Sequence, residues 1–149
     1  MTDTARILLT GALLSASAIA VFAWRLTRVD PSQPERLIGE LRLAQFAAVL
    51  LALTGGTWLG LAIAHEADLF AGLDVSLGVA FALVAIIALH LEPRQSLLVL
   101  AGAFALHAVL DIAHQPGGMS DTVAPDWFIV GCAGYDVFVG ALCFWARRR

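Results

Sequence analysis

Five long apolar runs separated by short polar intervals set the pattern of this chain. They are "ILLTGALLSASAIAVFAW" (7–24), "AQFAAVLLALTGGTWLGLAIA" (44–64), "VSLGVAFALVAIIALHL" (75–91), "SLLVLAGAFALHAVLDIA" (96–113) and "WFIVGCAGYDVFVGALCFWA" (127–146). A membrane-crossing helix needs about 20 mostly apolar residues, and each run meets or approaches that length. The pattern predicts an all-α integral membrane protein, a bundle of five transmembrane helices forming a single membrane domain over residues 1–149. Prolines mark the breaks: Pro31 and Pro34 in the first polar interval, Pro93 after the third run, Pro116 after the fourth. Pro125 stands just ahead of the fifth, where proline favours a helix start. "RLIGELRLAQ" (36–45) reads as an amphipathic extension of helix 2.

Composition agrees. Hydrophobic residues make up 60 % of the chain and charged residues 14 %, and the mean hydropathy is +0.83. A soluble domain carries roughly a quarter charged residues, so the excess apolar area is expected to face lipid. A net charge of −3, with no basic or aromatic-rich polar face, argues against a nucleic-acid partner. Cys132 and Cys143 make neither a disulfide framework nor a CxxC pair nor a zinc ribbon.

All nine basic residues are arginines, and their placement predicts the topology. Arg25, Arg28, Arg36 and Arg42 fall in the first interval, Arg94 in the third, and Arg147, Arg148 and Arg149 in the tail. With the N-terminus outside and the C-terminus cytoplasmic, all eight lie inside and Arg6 alone lies outside, a positive-inside pattern. The expected location is a bacterial inner (plasma) membrane. "ASA" at 16–18 resembles a signal-peptidase site, but the apolar run continues through Trp24, so helix 1 is expected to be retained. Gly55, Gly56 and Gly60 on helix 2, and Gly131 and Gly134 on helix 5, are expected packing seams. Trp24, Trp127 and Trp145 stand at predicted membrane boundaries, as aromatic-belt anchors do.

Ionisable residues inside a membrane cost roughly 2.5–3.5 kcal/mol each on insertion scales, and so mark function by default. Here they gather toward the outer half. His65 and Glu66 close helix 2, His107, Asp111 and His114 lie on helix 4, and Asp136 lies on helix 5 beside Tyr135. Positions 107, 111 and 114 are i, i+4 and i+7 and share one helix face. Trp58, His107 and Cys132 come to similar depth, ~10–12 Å below the surface at 1.5 Å per residue. The expectation is an outward-opening polar pocket between helices 2, 4 and 5. His107, Asp111 and Asp136 are its candidate catalytic groups, and Trp58, His65, Glu66 and Tyr135 its candidate substrate contacts. Two chemistries suit these residues. His107 and His114, with Asp111, would hold Zn or Fe for metal-assisted hydrolysis. Without metal, His107 as base and Asp136 as proton donor would carry acid/base isomerisation or cyclisation.

The stretch His107-x3-Asp111-x2-His114, with Pro116, Pro125, Cys132-x3-Asp136 and the closing "ALCFW", resembles a family of small bacterial integral membrane proteins of uncharacterised function. That family's pattern has a second His where this chain has Gln115. The resemblance implies that these positions form one site. In architecture alone the chain is similar to emopamil-binding sterol isomerases, which are also five-helix bundles with a polar, Trp-lined pocket. The leading expectation is a small membrane-embedded enzyme acting on membrane lipid or a lipid-soluble or amphipathic substrate. The alternatives are metal or proton transport, with a pathway built by a homo-oligomer, a structural or accessory subunit, and bis-His haem binding.

Overall fold

The computed structural model describes residues 3–64, 71–114 and 125–148, which form five helices and no strand. They are α1 (Asp3–Leu26), α2 (Pro34–Ala64), α3 (Ala71–Ala88), α4 (Pro93–Ala113) and α5 (Asp126–Arg148). Helices α1, α2, α4 and α5 are long and apolar enough to cross a membrane, while α3 is apolar but shorter. Helix α2 starts a full ten residues before its apolar run, at Pro34, with Glu35 in the first turn where the helix dipole favours an acid.

Helix α3 begins about one turn earlier than its hydropathy predicts, because Asp74 belongs to the helix and is buried. Asp74, Gly78, Phe81, Ala85 and Ala88 all lie on its buried stripe, with the spacing of one helix face. At its far end the chain turns through residues 89–92. Leu89 N–H bonds to Ala85 O and Ile86 O, His90 N–H to Ile87 O, and Pro93 restarts the helix as α4.

Helix α4 packs most extensively on α5, and α2 on α3; α2 also meets α4, and α1 leans on α5. Leu43, Leu51, Leu97, Leu100, Phe104 and Val139 form the centre of one core shared by these helices. Outward, the surface is studded with exposed Ile7, Leu13, Leu53, Ile63, Val109 and Val137. An apolar surface this continuous fits contact with hydrocarbon.

Two devices hold the bundle. The first is close backbone approach. A methyl built on Gly78 of α3 would stand 2.8 Å from the Gly55 carbonyl oxygen of α2 and 3.1 Å from Leu59 Cβ. At the α4–α5 crossing, one on Gly140 would meet Ala101 O and Phe104 Cβ at 3.2 Å. Of the glycines expected at seams, only Gly55 is at one, while Gly56, Gly60, Gly131 and Gly134 face open space. The reason is helical phase: the buried stripe of α2 runs through Leu51, Gly55, Trp58 and Ala62, and Gly56 and Gly60 project away from it.

The second device is Arg36. Its guanidinium is buried, donating from Nη1 to Leu26 O (2.6 Å), from Nη2 to Ala146 O (2.7 Å) and from Nε to Glu40 Oε1 (2.8 Å). Arg94 Nε approaches both Glu40 oxygens at 3.3 Å. Leu26 and Ala146 lie in the last turns of α1 and α5, where carbonyls lack intrahelical partners and the helix dipole favours a cation. One side chain thus ties α2 to the ends of two other helices.

Gly78→Ala is expected to destabilise the bundle by about 1–3 kcal/mol, the usual cost of overpacking, while Gly60→Ala leaves stability unchanged or slightly raised; denaturant titration in detergent reads both. Arg36→Ala leaves buried Glu40 to the half-exposed Arg94 alone and strands two carbonyls, and is expected to cost about 2–4 kcal/mol in the same assay.

Candidate functional site

Helix geometry brings the buried polar residues to one place. On α4, His107 and Asp111 occupy the stripe that packs against α5, and on α5 Asp136 occupies the matching stripe with Ile129, Ala133 and Val139. His107 Nδ1 lies 2.6 Å from Asp136 Oδ2 and 3.5 Å from Asp111 Oδ1. The closer contact lies within ion-pair distance, the imidazole being charged only when protonated, with the carboxylate off the axis of the ring N–H. Asp111 is fixed in turn by Trp58 of α2, whose indole N–H donates to Asp111 Oδ1 at 2.7 Å. Asp111 and Asp136 are 0 % exposed and His107 is 2 % exposed. Asp111 Oδ2 and Asp136 Oδ1 have no protein partner. One ligand atom from each of His107, Asp111 and Asp136 falls within 4.8 Å of the others, so the three could share a cation.

His114 takes a different position from the one its spacing suggests. Its Nδ1 bonds to Leu110 O at 2.7 Å and its Nε2 to Asp74 Oδ1 of α3 at 2.8 Å. A carbonyl only accepts, so Nδ1 carries a proton. A second proton must then sit between Nε2 and the Asp74 carboxylate, whichever of the two owns it. Both ring nitrogens are engaged, and His114 is not in the group whose ligand atoms converge. The Trp58 ring lies against the His114 ring, centroids 4.5 Å apart, and Phe81 of α3 against the His107 ring at 4.6 Å. Between the two pairs is a cavity of about 10 Å³, bounded by Trp58, Asp74, Phe81, His107, Asp111 and His114. That is room for one water molecule.

Sequence reasoning therefore reached α2, α4 and α5 but missed α3, which supplies Asp74 and Phe81. The signal was present: Asp74 stands i−4 and i−7 from Gly78 and Phe81 on one helix face. It was hidden because a carboxylate at the edge of an apolar run reads as loop. His65 and Glu66 lie outside the described residues, as do Gln115 and the other residues of 65–70 and 115–124. His90 is exposed at the opposite end of the bundle, its Nδ1 on Ile86 O.

Tyr135 turns away from the cluster. Its hydroxyl is 3.0 Å from Ser15 Oγ of α1, and both residues line a second cavity of about 470 Å³ between α1, α2 and α5. Leu8, Leu50, Leu53 and Phe128 form its apolar walls, and half-buried Cys132 stands between this groove and the polar cluster. No family model, curated protein or solved structure matches the chain.

Asp74→Ala is expected to cost about 1–3 kcal/mol, the penalty for stranding a buried hydrogen-bonding group. Asp74→Asn, whose amide N–H can still donate to a neutral Nε2, is expected to retain most of the stability; thermal unfolding in detergent separates the two.

Proposed function

We propose that this chain is a small membrane-embedded enzyme that carries out proton-transfer chemistry, isomerisation or cyclisation, on a lipid-soluble or amphipathic substrate. The reading rests on one observation above the rest: a buried imidazole held between two buried carboxylates on neighbouring helices. In this arrangement Asp136 orients the ring through Nδ1, leaving Nε2 to take a proton from the substrate. Asp111, held by Trp58, stabilises the imidazolium that forms, the task a carboxylate performs for a histidine base elsewhere. The topology that goes with it has five spans, α3 included, with the N-terminus outside and the C-terminus in the cytoplasm of a bacterial cell. Eight of the nine arginines support it by the positive-inside rule. The pattern that resembles the family of small bacterial integral membrane proteins falls on the same residues, and we place the chain with that family.

A second reading, a Zn or Fe site on His107, Asp111 and Asp136, draws on the convergence of their ligand atoms within 4.8 Å. Distance ranks it lower. Two ligands bound to one ion at ~2.0–2.2 Å, at right angles or wider, stand about 3 Å apart or more, whereas His107 Nδ1 and Asp136 Oδ2 are 2.6 Å apart.

Purified protein incubated with bacterial membrane lipid in D₂O is expected to place deuterium in at least one lipid species, read by mass spectrometry. His107→Ala and Asp136→Asn should each lower that incorporation about 100-fold or more, the scale of general acid/base catalysis. Wild-type incorporation in His107→Ala would sink the proposal, and about one Zn or Fe per chain, lost in His107→Ala, would put the metal reading in its place.

A further inference from the structure

The groove between α1, α2 and α5 has a chemical character that its apolar walls alone do not convey. Its volume of about 470 Å³ is that of a small-molecule site, typically ~300–1,000 Å³. Four hydroxyls line it, on Ser15, Thr54, Thr57 and Tyr135, and the hydrogen of each can be traced. Thr54 donates to Leu51 O at 3.1 Å and Thr57 to Leu53 O at 2.8 Å, both within α2. Ser15 donates back into α1, where Gly11 O and Ala12 O lie at 2.9 and 3.0 Å. Those carbonyls only accept, so the single Ser15 proton is committed there. In the Ser15–Tyr135 contact at 3.0 Å either oxygen can donate; with the Ser15 proton turned to α1, Tyr135 is the donor. In that arrangement every hydroxyl proton in the groove is engaged, and the Tyr135 oxygen keeps lone pairs for a ligand.

Apart from the Trp127 indole N–H at its outer end and the weak Cys132 thiol, what the groove offers in its apolar sheath is acceptors, which suit a ligand that brings a donor. Tyr135 adjoins Asp136 in sequence, and Cys132, which lines the groove, lies one helical turn from Asp136 on α5. The groove and the His107 centre thus share α5. Gly131, which also lines the groove, has open space where a side chain would stand, so a large side chain placed there can enter the groove.

We propose that this groove binds a long-chain alcohol, its hydroxyl donating to Tyr135 and its hydrocarbon chain lying along α1 and α2. This names the substrate class of the enzyme proposed above and rests on that reading for its purpose, though not for its binding. Trp127 at the groove's outer end, 46 % exposed, is placed as an interfacial anchor beside the chain.

The test uses the full chain in lipid nanodiscs and two photoreactive ligands: a long-chain primary alcohol with a diazirine at its chain end, and its methyl ether, which has no donor. Adducts are mapped by mass spectrometry. The alcohol is expected to label groove residues about five-fold more than the ether, the worth of one neutral hydrogen bond. Tyr135→Phe should bring alcohol labelling down to the level of the ether, and Gly131→Trp should abolish labelling by both. Equal labelling of the wild type by alcohol and ether would overturn the proposal and leave the groove as a place for bulk lipid chains. So would labelling that Gly131→Trp leaves intact. His107→Ala is expected to label like the wild type. Labelling that behaves as expected beside absent deuterium incorporation would reject the catalytic reading and keep the alcohol site; the reverse would do the opposite.

Discussion

A carboxylate in hydrocarbon cannot stand alone, and Asp136 meets that constraint by lying against His107 of the adjoining helix. Much else follows from this pairing. It sets the rotation of α5 against α4, so that Val139, Gly140 and Cys143 fall on the same buried face as Asp136. Gly140 then lets the two backbones close on Ala101 and Phe104. With His107 committed to α5, Asp111 one turn away is left to Trp58 of α2, and that bond brings a third helix to the site. The polar residues act as interhelical fasteners because lipid offers no water to compete for their hydrogen bonds.

The same logic operates at the arginine-rich end, with Arg36 and Glu40 in place of the His107–Asp136 pair. Arg36 and Glu40 satisfy each other within α2, and the remaining guanidinium donors reach the terminal carbonyls of α1 and α5. Helix ends are where backbone groups go unpaired, so a single fork-shaped donor closes two of them at once, which the point charge of a lysine could not do. Between the two ends the bundle relies on small residues. Gly55 against Gly78 brings α3 within reach of α4, close enough for Asp74 to hold His114.

These fasteners leave two spaces of opposite kind on the two sides of the α2–α5 contact. One is polar, of water size, and framed by Trp58, Phe81, Asp74, His107, Asp111 and His114. The other is wide, apolar and lined by hydroxyl acceptors. Cys132 and Tyr135 face the wide space while Asp136 is buried against His107, which lines the polar one. Helix α5 thus shows different chemistry on two faces, apolar groove on one and the His107 contact on the other.

Much of this was legible in the chain itself. Five apolar runs dictate helices, because only a helix satisfies its own backbone in lipid, and the runs ended near where α1, α4 and α5 do. The spacing of His107 and Asp111 put them on one face, since residues four apart share one, and Asp136 was joined to them as a further ionisable residue within an apolar run. Partnership was not legible. The i, i+4, i+7 pattern places His114 with His107 and Asp111, yet rotation of α3 hands it to Asp74. Arg36 reads as a surface charge until two helix ends arrive to bury it, and Gly56 and Gly60 read as a seam until Gly55 takes that part on the neighbouring face. Hydropathy and helical period are local, so sequence alone determines which segments are helices and which residues share a stripe. Which stripe meets which is settled by packing several helices at once, and that only the tertiary structure decides.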